Sequence, residues 1–294
     1  MEKFGRIYDM RISVEGGENI AISNPFTLEI DITRNALPTA NVGQFKIYNL
    51  PRHIRDQIRF DISSINHRQE VALKAGYKSI HKDLNDLPMI FRGSISWAYS
   101  ERVGTNWITI IECYDGGFAL STSKISTEFI KGEKYRSAAE KVLDMLEGVK
   151  LGKISPQLAP EDRELKRDHA LNGKVSDVLN ENFGCNWFID NGIVNVLADD
   201  EGLEGVFKTV DASTGLLGTP IRSNTLIDFD MIFEPRLLIN QIINLRSTTD
   251  PAFNGTFKLV QIIHRGTISD AVCGELVTSC RVYKGISKLK AVEA

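Results

Sequence analysis

The sequence predicts a mainly β protein with an α+β insert, in which two antiparallel β-barrel-like domains flank a helix and hairpin region. Alternating apolar residues, typical of half-buried strands, dominate the first and last thirds of the 294-residue chain. Apolar residues in the middle third recur instead at the period of amphipathic helices. We therefore expect a β-barrel-like domain at 1–118, an α+β insert at 119–200, and a second barrel-like domain at 201–294 with a short frayed tail.

The first third carries the two-residue period of strands. Leu28, Ile30 and Ile32 alternate with polar residues, and the same alternation fills residues 71–77. Between them, Pro51 begins a segment with apolar residues four apart, which predicts a short helix. This third is therefore expected to be a sheet with one brief helical interruption.

Residues 91–99 and 107–114 predict an antiparallel pair of strands joined across a polar tip. Gly93 inside this pair indicates a bulge or a close approach of the backbone. Trp97 and Trp107 fall in the same pair, and we expect them to be sheet neighbours in the core. An aromatic platform for a sugar or nucleotide is the alternative.

The middle third predicts two helices followed by a hairpin. One face of residues 135–148 is apolar, and residues 175–183 form a second short amphipathic segment. Gly184 then suits the end of a helix, where a positive φ is common. Asn191 and Gly192 mark a two-residue hairpin turn, because both positions of that turn require positive φ.

The last third returns to strands after a glycine-rich turn that begins at Asp211. Asp228 and Asp230 form the polar face of its first strand, and three interpretations stay open: a channel lining, a subunit contact or plain surface. The hairpin at 257–285 faintly echoes the one at 91–116, since both run strand, tip, strand and glycine. The predicted strands lie at 225–233, 239–245, 257–264 and 276–283.

Residue types that carry chemistry are scattered through the chain. The cysteines lack metal-ligand spacing and are expected to be free thiols, and the histidines form no paired motif. Phosphate-binding, dinucleotide-binding and nucleophile-elbow motifs are also missing from the sequence. We predict no catalytic residues, no cofactor and no metal. The residues concerned are Cys113, Cys185, Cys273, Cys280, His53, His67, His81, His169 and His264.

The acidic cluster of Asp199, Asp200, Glu201 and Glu204 is the best candidate for a carboxylate site. Paired carboxylates serve glycoside hydrolysis or bind calcium. The cluster also follows a predicted strand and precedes a glycine, which is typical of a solvated loop between domains. We favour the loop. An Asp200→Asn change distinguishes the two interpretations, because it abolishes an activity on peptidoglycan or glycan only if the carboxylates form a site.

Net charge and hydropathy exclude several classes of partner. A formal net charge of −3 argues against a nucleic-acid binder that holds phosphates by a basic face. No apolar run reaches the roughly 20 residues that span a membrane, so no direct membrane insertion is expected. The first residues lack the apolar core of a signal peptide, which favours assembly in a cytoplasm.

Seven segments, in this order and spacing, resemble the baseplate hub proteins of contractile-tailed bacteriophages. The middle insert of helix and hairpin is also similar to that family. The segments are residues 24–30, 45–51, 71–77, 90–93, 115–116, 213–220 and 254–260.

The resemblance implies a structural, non-enzymatic virion protein of the tail baseplate, assembled in the host bacterial cytoplasm. Two barrel domains per chain in a homotrimer would give a pseudo-six-fold collar between the six-fold tail tube and the three-fold central spike. The tail tube and central spike proteins are the implied partners, with the tape measure and baseplate wedge proteins as further ones. DNA would only pass through the lumen.

Two alternatives remain from the sequence. One is a carbohydrate-binding or cell-wall hydrolase protein that uses the Asp199–Glu204 carboxylates. The other is the hub of a phage-derived secretion or bacteriocin device.

Overall fold

Alternating apolar residues place most of the chain in strands, and the mainly β class is confirmed. The computed structural model describes Lys3 and residues 5–13, 19–58, 69–285 and 288–293. The helices are α1 (Arg52–Arg55), α2 (Gly117–Thr122), α3 (Tyr135–Leu143) and α4 (Val175–Phe183). The strands are β1 (Arg6–Ile12), β2 (Ile20–Ser23), β3 (Leu28–Asn35), β4 (Asn41–Tyr48), β5 (Glu70–Tyr77), β6 (Met89–Val103), β7 (Asn106–Asp115), β8 (Lys124–Phe129), β9 (Lys150–Ile154), β10 (His169–Lys174), β11 (Trp187–Asp190), β12 (Ile193–Val196), β13 (Glu201–Glu204), β14 (Thr209–Val210), β15 (Leu216–Ser223), β16 (Leu226–Ile232), β17 (Ile242–Leu245), β18 (Gly255–Ile268), β19 (Leu276–Tyr283) and β20 (Lys290–Glu293).

One large sheet, antiparallel except for the β14–β17 pair, joins the first and last thirds of the chain. Its strand order is β15-β16-β19-β18-β3-β4-β7-β6-β5-β1-β2, with β17 and β14 attached beside β18. The sheet is not a closed barrel, which corrects the expectation of two barrel-like domains. The physical reason is the pairing of β18 with β3, through which the two thirds complete each other's hydrogen-bond ladders.

Apolar side chains of this sheet pack on one face into two cores, and the insert has a core of its own. One core is built mainly from the first third, a second lies within residues 119–196, and a third combines residues 188–282. Phe233, Ile268 and Leu276 belong to the first core although they come from the last third. The domain boundaries at 118 and 200 stay a prediction.

The opposite face of six adjacent strands carries no covering layer among the described residues. Residues directly opposite each other on paired strands share a face, so the registers define rows such as Asp230, Ser279, Ile263, Thr33 and Val42. We name this surface the open face. Its members are Asp228, Asp230, Ser279, Arg281, Ile263, Arg265, Glu29, Asp31, Thr33, Val42, Gln44, Lys46, Ile110, Glu112 and Tyr114, with Trp97 of the next strand.

The β6–β7 hairpin confirms one prediction and corrects another. A Cβ at Gly93 would lie 2.8 Å from the main-chain carbonyl of Tyr114, so the predicted close approach of the backbone is present. Trp97 and Trp107 are 49% and 39% exposed, and they are neither buried nor opposite each other. A β-bulge after Ile95 shifts the alternation by one residue and turns Trp97 to the open face.

Trp107 lies beyond the end of the core, where the guanidinium of Arg55 stacks 3.9 Å from its ring centroid. The strands also run further than predicted, to Val103 and from Asn106, which leaves a two-residue turn with Gly104 at φ 61°. The polar tip predicted at 100–106 is therefore mostly strand.

The insert contains the predicted helices and hairpin. The helix predicted over 135–148 is shorter, because α3 ends at Leu143 and turns follow, although Leu146 is still buried. Asn191 and Gly192 adopt φ of 52° and 75°, which confirms the predicted turn between β11 and β12. Within the described residues, β8 pairs with β10 alone, and β9 pairs in parallel with β12.

The prediction of a frayed tail is wrong for the described residues. Strand β20 pairs in parallel with β13, and the Lys290 N–H donates to the carbonyl of Asp200 at 2.7 Å. Lys290 Nζ also lies 2.8 Å from Asp200 Oδ2. Polar sequence at a chain end does not exclude pairing with a free strand edge.

Candidate functional site

The predicted acidic cluster surrounds a buried lysine rather than an open cleft. Lys258 reaches from β18 and donates to the carbonyls of Asp199 at 2.9 Å and Glu201 at 3.1 Å. Burial lowers the pKa of Lys258, and the neighbouring carboxylates oppose that shift. The Glu201 carboxylate is buried and accepts the Ala198 N–H at 3.0 Å. The loop that carries the acidic cluster is therefore held in place by the hydrogen bonds of Lys258 and Glu201 beneath it.

The other carboxylates of the cluster are engaged in ion pairs. Asp200 pairs with Lys290, and the hydrogen bond from that ammonium lowers the pKa of Asp200. Glu204 pairs with Lys208 in the same way, with the same direction of pKa shift. A general acid needs a raised pKa, so these groups fit a structural role. Asp200 ties β20 to the start of β13, and Glu204 pairs with the segment that follows β13. Among the described residues, no group of three metal-ligating side chains comes together.

Arg34 forms a buried ion pair that the sequence reasoning missed. It leaves β3 toward the core and donates from Nε and Nη2 to the two carboxylate oxygens of Asp190, at 2.8 and 2.5 Å. Its Nη1 lies 3.4 Å from the carbonyl of Leu237. Although burial alone lowers the pKa of Arg34, Asp190 raises it, and the net direction is upward. One side chain thereby connects all three thirds of the chain.

Asp115 holds the insert hairpin against the sheet beside this pair. Its carboxylate accepts the main-chain N–H groups of Asn191 at 2.6 Å and Gly192 at 2.8 Å, and the Asn41 amide at 3.2 Å. Burial and the nearby Asp190 raise the pKa of Asp115 to about 7, against the effect of these donors. The available sequence signal was an Asp-Gly pair directly after a strand, which is also part of the resemblance.

The cations of the open face are paired with carboxylates of the same face. Arg281 donates to both carboxylate oxygens of Asp228, at 2.7 and 3.1 Å, and Ser279 donates to Asp230 at 2.6 Å. Arg265 donates to Asp31 at 2.8 Å. The centre of the open face is concave and encloses about 350 Å³. Asp228 and Asp230 therefore lie on the flank of a shallow, mixed-charge trough.

The free edge of the large sheet at β15 exposes apolar side chains. Ile221 is 69% exposed, and Leu217 and Ile232 are also exposed. Pro220 is tolerated here because an edge strand needs no hydrogen-bond donor on its outer side, and the ladder to β16 is irregular between Leu217 and Ile221. The preceding turn is fixed by Asp211, whose side chain caps a single 3-10 turn. This edge is unpartnered in the chain as described.

His264 is the most deeply buried of the described histidines. Thr278 Oγ1 accepts the Glu234 N–H at 3.0 Å and lies 2.9 Å from Nδ1 of His264. Among the described residues, Nε2 of His264 has no hydrogen-bond partner. Burial is the larger cause and the positive charge of Arg34 the smaller one, and together they lower the pKa of His264 to about 3.

The cysteines are free, as predicted. Cys113 and Cys280 are buried and Cys185 and Cys273 are exposed. His53 lies on α1, His81 follows β5 and His169 begins β10, and His67 lies outside the described residues. None of the described helices has the length and apolar character needed to cross a membrane.

The arrangement defines a sheet-based structural protein whose polar clusters serve to join its parts. The chain belongs to the baseplate hub gp41 family, whose model matches residues 8–265. It is therefore a structural protein of the phage baseplate and a component of the virion. The identification by resemblance is confirmed. No curated protein sequence matches this chain.

Solved structures of similar fold come from phage tails and from a secretion system. The 43 kDa tail protein of prophage MuSo2 from Shewanella oneidensis is 9% identical with a TM-score of 0.60, covering 96% of this chain and 99% of that one. A tail protein from Neisseria meningitidis MC58 is 12% identical with a TM-score of 0.56, covering 95% and 97%. The E. coli c3393 protein, a component of the type VI secretion system, is 8% identical with a TM-score of 0.54, covering 93% and 76%.

Proposed function

We propose that this chain forms a homotrimeric hub collar that joins the six-fold tail tube to the three-fold central spike. It acts without catalysis, and it assembles in the host cytoplasm. The tape measure and baseplate wedge proteins are further partners, and DNA passes through the lumen without being held. The observation that carries the proposal is a repeat in the large sheet.

Two long hairpins flank the central β3–β4 pair in similar positions. The β6–β7 hairpin pairs through β7 with β4, and the β18–β19 hairpin pairs through β18 with β3. Their first strands have 15 and 14 residues, and each hairpin contains one β-bulge. Each also sets a buried cysteine opposite an isoleucine, Cys113 with Ile95 and Cys280 with Ile262. Three chains would thus present six similar hairpins to a six-fold tube.

The two free edges of the sheet support ring closure between copies. Strands β15 and β2 end the strand order, and exposed edges of this kind favour pairing with another chain. A head-to-tail contact between β15 of one copy and β2 of the next is heterologous, so a three-fold rotation closes it into a ring. The exposed Leu217 and Ile221 of β15 would then contact β2 of the next copy.

The open face fits the channel side of such a ring. It is concave, it lacks a covering layer among the described residues, and its cations are paired with carboxylates. A wall whose cations are already paired offers few of them to phosphates. Under this proposal, Asp228 and Asp230 line the lumen.

The proposal is tested by the mass of the purified protein in solution. Light scattering should give about three times the chain mass of 32.8 kDa. Ile221→Asp should shift the mass toward the monomer, because a carboxylate would be buried at the edge. Ile130→Asp is the matched control, since Ile130 is an exposed isoleucine of the insert.

Binding of the partners forms the second arm of the test. The trimer should retain both the tail tube protein and the spike protein in co-purification, whereas Ile221→Asp should lose both. A stable wild-type monomer that binds neither would contradict the proposal.

A second candidate keeps the fold and changes the device to a secretion or bacteriocin apparatus. The likeness to E. coli c3393, a type VI secretion component, favours it. The neighbouring genes distinguish a phage baseplate from a secretion or bacteriocin apparatus, because capsid and terminase genes accompany only the phage.

A further inference from the structure

A cavity in the insert is lined almost entirely by apolar side chains. It encloses about 80 Å³ between α3, α4 and the β8–β10 pair, and partly exposed residues at its mouth open it to the surface. Protein interiors leave few voids larger than a water molecule. Apolar lining also holds water poorly, so the space suits an apolar group. Its apolar lining includes Phe129, Ala139, Val142, Leu165, Val178 and Phe183.

The volume selects the size of the occupant. An apolar cavity of about 150 Å³ admits benzene, and the insert cavity is about 80 Å³. An aromatic ring is therefore too large, and an aliphatic side chain of about four carbon atoms fits. Pockets for small-molecule ligands are several times larger, on the order of 300–1,000 Å³. The fit is to one side chain of a protein partner.

Two polar side chains stand in the lining and can meet the main chain of such a partner. Asn182 donates from Nδ2 to the carbonyl of Val178 at 2.7 Å, which leaves Oδ1 free to accept. His169 is half-buried, and its ring has no partner among the described residues. It begins β10, which pairs with no described strand except β8 and so has an unpaired edge in the part of the chain that the structure describes. An extended segment can add to that edge.

Unpaired cations surround one side of the mouth. Lys166 and Arg167 directly follow the lining residue Leu165, and the Gly132 N–H donates to the Leu165 carbonyl, which places Lys131 beside them. These three cations are exposed and form no ion pair within the described part of the chain. Asp168 accepts the Lys131 N–H at 2.7 Å and brings one negative charge to this side of the mouth. The three cations outnumber it, so the net charge of these four residues is positive.

We propose that the insert cavity is a side-chain socket for an acidic, extended segment of a partner protein, which inserts one leucine-sized aliphatic side chain. The cavity sets the size of that side chain, and the three cations at the mouth set the charge of its flanks. The proposal is independent of the trimer, since the socket lies within one insert.

The test uses fluorescein-labelled nine-residue peptides with one central residue between acidic flanks, titrated onto the full chain by anisotropy. The leucine peptide should bind, the alanine peptide should bind at least about tenfold more weakly, and the phenylalanine peptide should also lose affinity. Added salt should weaken binding, because the cations are exposed. These arms use the wild-type protein and need no variant to fold.

Variants then locate the binding site. Ala139→Leu should fill the cavity and weaken the leucine peptide about tenfold. Ala252→Leu is the control, since Ala252 is exposed, lies outside the insert and does not line the cavity. Lys166→Glu should weaken all acidic peptides alike. Failure of the leucine peptide to bind, equal binding of the leucine and alanine peptides, or normal binding to a folded Ala139→Leu protein would overturn the proposal.

Discussion

Replacing Arg34 with methionine should be among the most destabilising single changes in the chain. The substitution removes a bidentate pair with Asp190 and leaves that carboxylate with 12% of its side chain exposed, beside the buried Asp115. Removing one partner of a buried ion pair costs about 3–5 kcal/mol, because the other charge is left without compensation. We expect a loss of this size in the free energy of unfolding.

The double variant Arg34→Met with Asp190→Leu separates charge from packing. Replacing both charged groups by apolar ones removes the uncompensated carboxylate, so the double variant should recover about 2–3 kcal/mol relative to the sum of the single losses. Urea denaturation followed by circular dichroism measures the free energies. Hydrogen exchange at Asn191 and Gly192 reports the hairpin locally, since their N–H groups bond to Asp115.

Arg281→Met is the matched control on the open face. Arg281 makes a similar bidentate bond to Asp228, but both side chains are more than a third exposed. Pairs at such exposure contribute about 0–1 kcal/mol. If Arg34→Met costs no more than Arg281→Met, the reasoning from burial is refuted.

Three further changes test other parts of the structure by the same unfolding measurement. The lowered pKa of His264 should cost about 2 kcal/mol of stability between pH 7 and 5, since the unfolded imidazole gains a proton below about pH 6.5 while the folded one stays neutral until about pH 3, and His264→Phe should flatten that slope. Lys258→Met should cost about 2–3 kcal/mol by leaving buried carbonyls without a donor, whereas Lys208→Met, which removes only an exposed ion pair, should cost clearly less; equal losses would contradict the role of the buried ammonium. Gly93→Ala should cost about 3 kcal/mol or more because its Cβ meets backbone, and Gly104→Ala about 1 kcal/mol because only its φ is unfavourable; the reverse order would show that the close approach is unimportant.

Local patterns predicted strands better than they predicted which side chains are buried. The alternation at Leu28, Ile30 and Ile32 gave both the strand and its buried face, because no bulge interrupts β3. The same reasoning failed at Trp97, since a single extra residue in β6 reverses the face of every side chain beyond it. A bulge depends on the partner strand and leaves little trace in the sequence around it.

For the candidate sites, too, the sequence indicated some of the residues but not their partners in the folded chain. The sequence drew attention to Asp199, Asp200 and Glu201, but their partners Lys258 and Lys290 lie more than 50 residues further along the chain. Sequence separation hid the Arg34 pair as well, because Asp190 lies in a different third of the chain. Contacts of this range arise only when the sheet is assembled.

The sequence by itself determined the strands, the insert helices, the Asn191–Gly192 turn and the family. These features depend on local periodicity, on backbone conformations open to few residue types, and on the order of short segments. Only the tertiary structure decided that β18 joins β3 and opens the expected barrels into one sheet. It also decided that Asp228 and Asp230 are matched by neighbours on β19. The physical reason is that strand pairing and ion pairing are long-range choices, made by the whole set of edges and charges together.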